Sequence, residues 1–208
     1  MKNILVIASV LLFIVIGAMP LSTSAKEHGM NEKYKQKNVA SLPAVTKDTF
    51  KCMLDMTPVR GFYVDNLNPE KLPETVRAAK AEKTVYPAGS VVQLVPTEVM
   101  IKQVAGTNPS TNDWLFYELT VSDKGSEIRV QGYDNVKNRF GGNCLACHKK
   151  AKPEYDMICE QGHGCDPIAI TSQMTRVLQK TDPRCAAPPV LSSDEQKLFE
   201  QMQAMFDL

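Results

Sequence analysis

Five consecutive residues, Cys144-Leu145-Ala146-Cys147-His148, constrain this chain more than any others. The chain has six cysteines in all: Cys52, Cys144, Cys147, Cys159, Cys165 and Cys185. An even count in a chain bound for an oxidising compartment first suggests three disulfides. The C-x-x-C-H spacing divides the six differently. Two thiols three positions apart can add to the two vinyl groups of one haem. The adjacent histidine is then held under the iron, and neutral imidazole is a common iron ligand. The expected site is therefore one covalent haem c, attached through Cys144 and Cys147, with His148 as the proximal iron ligand.

Three other readings of the motif compete with this one. A thioredoxin-like redox pair expects a βαβ setting, which the sequence lacks. A zinc site expects a second C-x-x-C knuckle, and Cys159 and Cys165 have the wrong spacing. Two ordinary disulfide cysteines leave the trailing histidine without a role. The other four cysteines allow three pairings. Cys159 with Cys165 and Cys52 with Cys185 are favoured. Gly162 and Gly164 permit the short loop its tight turn, and the long bridge fastens the N-terminal region to the C-terminal one.

Residues 1–25 read as a signal peptide. Lys2 gives a positive start, residues 4–19 are apolar, and Thr23-Ser24-Ala25 offers small residues before a cleavage point. Export to the periplasm or beyond follows, with no stable membrane insertion once the signal is cut. Its removal takes away one lysine and no acid, leaving 23 basic and 23 acidic residues. A balanced chain is not a nucleic-acid binder, which needs a basic excess.

Four regions follow the chain. After the signal peptide (1–25), residues 26–50 form a polar N-terminal arm, rich in lysine and without a period of 2 or 3.6. Residues 51–185 form the haem-binding domain, and residues 186–208 a C-terminal amphipathic helix joined through Pro188-Pro189. Asn68-Pro69-Glu70 caps a helix over 72–83. Residues 61–67 suggest a short strand. Four further strands are expected over 90–95, 98–104, 113–121 and 127–133, joined by short turns, which favours an antiparallel meander. Leu115, Tyr117, Leu119 and Val121 are expected to face the core, and Trp114, Phe116, Glu118 and Thr120 the other side. A helix is expected within 168–180, and another after Ser192 or Ser193, with Leu198, Phe199, Met202, Met205 and Phe206 as its apolar face. The fold class is α+β: an antiparallel meander with flanking helices and the haem near the C-terminal end of the sheet.

His163, Met100, Met157 and Met174 are candidate sixth ligands. His163 is read as a surface loop residue between two cysteines, the methionines as core packing. His28 reads as an exposed side chain in the arm.

The stretch from about Val85 to His148 resembles the cytochrome P-460 and cytochrome c′-beta family. The matching residues are Tyr86-Pro87-Ala88-Gly89-Ser90-Val91-Val92, Trp114-Leu115-Phe116-Tyr117-Glu118 and Asn143-Cys144-Leu145-Ala146-Cys147-His148. The resemblance implies a mostly antiparallel β fold with flanking helices, often a homodimer, and a five-coordinate haem held by Cys144, Cys147 and His148. One branch of that family carries a lysine cross-linked to the haem and oxidises hydroxylamine; the other binds small gases at an apolar face. Here Gln93 and Leu94 stand where the lysine would be sought, and Lys102 reads as a solvated strand residue.

The expected function is that of an exported mono-haem cytochrome whose partner is a redox protein or a small diatomic ligand. Oxidation of hydroxylamine, or of a related small nitrogen compound, is the enzymatic alternative. A haem-free, disulfide-stapled secreted interaction domain is the third.

Overall fold

The computed structural model describes residues 41–187 and 189–206. The signal peptide, His28 and most of the polar arm lie outside the described residues. All described residues belong to one unit spanning residues 38–208.

Six strands make one antiparallel sheet in simple sequence order. They are β1 (Thr57–Val59), β2 (Phe62–Asn66), β3 (Ser90–Val95), β4 (Glu98–Lys102), β5 (Trp114–Ser122) and β6 (Gly125–Gly132). Each follows its neighbour through a short connection, except that α1 (Leu72–Ala81) intervenes between β2 and β3. The fold class is α+β, with helices flanking the sheet. Asn68 starts the helical segment as expected: its side chain accepts a hydrogen bond from the Glu70 backbone N–H. At Gly89, φ is +85°, and an added Cβ would lie 2.7 Å from Asn66 Oδ1, so this turn requires glycine.

Both faces of the sheet are covered, which differs from the expected one-sided burial of β5. Trp114, Phe116 and Glu118 are as deeply buried as Tyr117 and Leu119. Period 2 alone assigns parity to a face; it does not say which face is wet. Val64, Val92, Met100, Trp114 and Phe116 pack with Ala78 and Ala79 of α1, and with Val136, Met157 and Ile158 from the chain after β6. Val91, Val99, Ile101, Tyr117 and Leu119 pack on the other side with Phe50. Phe50 closes the stretch assigned to the arm, yet it is buried, and its ring lies 5.2 Å from that of Tyr117. Burying a side chain of this size contributes about 2–3 kcal/mol.

After β6 come α2 (Cys144–His148), α3 (Ser172–Lys180) and α4 (Ser193–Phe206). Thr171 caps α3, and Gln179 of α3 donates to the carbonyls of Gly61 and Leu94, tying the helix to the sheet. Ser192 caps α4, exchanging hydrogen bonds with Glu195, and Lys180 pairs with Glu195 at 2.6 Å. Of the expected apolar face of α4, Met202 is fully buried, Leu198 and Phe199 are half-buried, and Met205 is exposed. Among the described residues, no helix is long and apolar enough to cross a membrane.

The two disulfides pair as expected, Cys52 with Cys185 and Cys159 with Cys165. Cys52 and Cys185 also lie beside Asp182. This group does not make a metal site. The two sulfurs are bonded to each other, and the Asp182 carboxylate accepts from the Met53 N–H at 2.9 Å and from Arg184 at 2.7 and 2.8 Å.

Candidate functional site

The stem that carries the C-x-x-C-H residues is built from short polar side chains. Asn138 Oδ1 accepts from the N–H groups of Phe140 and Gly142, closing a tight loop. Asn143 then works in two directions. Its amide donates to Asp134 O at 2.7 Å, and its Oδ1 accepts from Ala146 N at 2.8 Å as the cap of α2. The Cys144 N–H reaches Val136 O at 3.0 Å. The short helix is therefore fixed at its start to the chain leaving β6.

Cys144 and Cys147 are free thiols, both half-buried. Three positions apart on a helical turn, they share a side of α2. Burial pushes the Cys144 thiol up to about 12, with Glu98 and Glu118 adding to it, and burial also raises Cys147. Thiols that drive disulfide exchange have depressed pKa values. These two have the opposite environment.

His148 ends α2. Its Nδ1 lies 2.8 Å from the carbonyl oxygen of Met157, and its ring lies 5.5 Å from that of Phe116. A carbonyl only accepts, so Nδ1 carries the proton and Nε2 keeps its lone pair. Burial pushes the His148 pKa down, against the pull of the Met157 carbonyl, which keeps the ring neutral. Cys144 and Leu145 pack against the apolar cluster that includes Phe116, Met100 and Val92.

These features fit a covalently held haem. Two unpaired thiols stand at the required spacing beside a neutral imidazole with one free donor nitrogen. Its other nitrogen is oriented by a backbone acceptor, as ligating histidines require.

The sixth-ligand candidates are placed as follows. His163 is not on the surface: it is 4% exposed, its Nδ1 lies 2.7 Å from Ile158 O, and its ring stacks on Tyr155 at 3.7 Å. Within the Cys159–Cys165 loop only His163 is buried, turned inward onto Tyr155, which the sequence spacing does not reveal. Met157 is in the core and its carbonyl serves His148. Met174 lies in α3 with its sulfur facing the Thr171 N–H. Met100 lies in β4 directly opposite Phe116.

Lys102 is also not the solvated residue expected. It is 4% exposed, and its Nζ lies 2.7 Å from each carboxylate oxygen of Asp156 and 2.6 Å from Asn112 O. A lysine is buried only when paired, and its partner lies 54 positions away in sequence.

Sequence reasoning missed Glu98, Glu118 and Asp156. The parity of β5 held a signal for one of them, since Glu118 shares its face with Trp114 and Phe116. Comparison with protein families, curated proteins and solved structures finds no match to this chain.

Proposed function

We propose that the chain is an exported mono-haem cytochrome of the c type, acting in electron transfer or in binding a small diatomic ligand. The observation that carries this reading is the division of the cysteines. Four are paired with each other, and the two left free are those beside a histidine with one available nitrogen. The likeness of residues 85–148 to the cytochrome P-460 and c′-beta proteins agrees with it. So do the two disulfides, which suit an exported protein and hence the periplasm.

Reversible one-electron chemistry and uptake of a diatomic ligand are what an iron porphyrin supplies when bound. The residues of the chain do the rest. Cys144 and Cys147 anchor the group, and Asn143 holds the helix that presents them. Met157 orients His148 by holding its Nδ1–H, and burial favours the neutral ring, which leaves the lone pair on Nε2. The wall of Met100, Phe116 and Val92 keeps water from that side.

An open sixth position is favoured over a ligated one. His163 is committed to Tyr155 and Ile158, the Met174 sulfur faces the Thr171 N–H, and Met157 and Met100 are packed in the core cluster. The hydroxylamine-oxidising alternative loses support for a related reason: Lys102, the lysine considered for a haem cross-link, is bound to Asp156. The test is the optical spectrum of the purified protein, oxidised and reduced, with and without carbon monoxide. A high-spin ferrous spectrum that shifts on adding carbon monoxide is expected. A low-spin spectrum indifferent to it would overturn the open-site reading.

A further inference from the structure

Asp156 and Met157 are adjacent, and both hold positive φ, at 48° and 64°. Side chains other than glycine disfavour this region, so the segment needs outside restraint. Asp156 receives it from three elements. The Tyr86 N–H donates to Oδ2 at 2.9 Å, and Trp114 Nε1–H donates to the Asp156 carbonyl at 2.8 Å. The Lys102 ammonium lies 2.7 Å from both carboxylate oxygens and 4.9 Å from the centre of the Trp114 ring. Burying such an ion pair costs desolvation that its attraction only partly offsets, so it is weak evidence for stability. It is better evidence for a fixed conformation. The next residue in the chain is Met157, whose carbonyl faces His148 Nδ1.

We propose that Lys102 and Asp156 are positioning residues for the iron ligand: they hold the Met157 carbonyl against His148 and so set how strong a donor the imidazole is. This rests on the reading of His148 as the iron ligand. A hydrogen bond from Nδ1–H raises the basicity of a ligating histidine. A more basic axial ligand stabilises the oxidised iron and strengthens the bond from imidazole to iron. The buried pair thus acts through a backbone carbonyl, with no contact to the ligand itself.

The test uses haem-loaded protein and two substitutions, Lys102→Met and Trp114→Phe. Lys102→Met leaves the Asp156 carboxylate buried without its cation and endangers folding. Trp114→Phe keeps the ion pair and an aromatic ring and removes the bond to the Asp156 carbonyl, at the cost of some packing against Tyr86 and Lys102, so it carries the test wherever the first fails to fold. Two readouts are taken: the iron–histidine stretching frequency of the ferrous protein and the reduction potential. Both variants are expected to show a lower frequency and a higher potential than wild type, with Lys102→Met shifted further. Wild-type values in the folded variants would overturn the positioning role alone. A wild-type chain without covalent haem would overturn the cytochrome reading, and the positioning role with it.

Discussion

Glu98 and Glu118 stand directly opposite one another across β4 and β5, on the sheet face that also carries Met100 and Phe116. Asn138 donates to Glu98, while Arg129 and Arg139 approach one oxygen of Glu118 at 3.6 and 3.5 Å. The other oxygen, Oε2, is buried with no hydrogen-bond partner among the described residues. Two carboxylates this close do not both ionise freely. Burial, with the charge of Glu118 behind it, pushes Glu98 up to about 7, and burial raises Glu118 as well.

The pair makes stability depend on pH with a defined sign. The folded chain holds the Glu98 proton more tightly than the unfolded chain does. Stability is therefore greatest below the ordinary glutamate pKa and falls as pH rises through about 7. For a half-buried carboxyl the loss is on the order of 2 kcal/mol after allowance for solvent screening. Urea denaturation of wild type and Glu98→Gln between about pH 5 and about pH 8 checks this. The variant should show a smaller fall; an equal fall in both proteins contradicts the assignment.

The bridge from Cys52 to Cys185 spans 133 positions, and that from Cys159 to Cys165 spans 6. Chain entropy alone assigns about 5 kcal/mol to the first and about 2.4 to the second. Alanine pairs at each bridge, compared by urea denaturation, should rank in that order. A larger loss at the short loop would show that contacts of Tyr155 and His163, and not loop closure, dominate there.

His163→Ala removes a stacked ring and a hydrogen bond to Ile158 O. The expected cost is about 2 kcal/mol of stability. The visible spectrum should be unchanged. A change from low to high spin in this variant would make His163 an iron ligand and contradict the structural role given to it.

Much of the sheet was legible because alternation and turn residues are local signals. Residues 90–95 match β3 to the residue, and the strands around Ile101, Phe116 and Val130 lie within two positions of the bounds the sequence pattern predicts. Strand β1 was not legible, since three residues with Pro58 at their centre carry no period. The C-x-x-C-H residues were visible as a motif because their chemistry depends on spacing within one short segment. Their supports were not. The acceptor for His148 is a backbone oxygen, which leaves no trace in side-chain identity. Lys102 and Asp156 meet only after the meander brings β4 under the chain that follows α2. Nor does sequence tell that His163 points inward, because its loop direction is set by Tyr155 and the backbone of Lys152, whose N–H reaches His163 O at 2.7 Å.

The central claim is that Cys144 and Cys147 hold a haem. The most direct measurement is the intact mass and pyridine haemochrome spectrum of the protein, matured with a c-type cytochrome assembly system. One covalent haem per chain is expected in the wild type, lost in a Cys144→Ala, Cys147→Ala double variant that retains both disulfides. A wild-type chain with no added mass, and with Cys144 joined to Cys147 as a third disulfide, would contradict it.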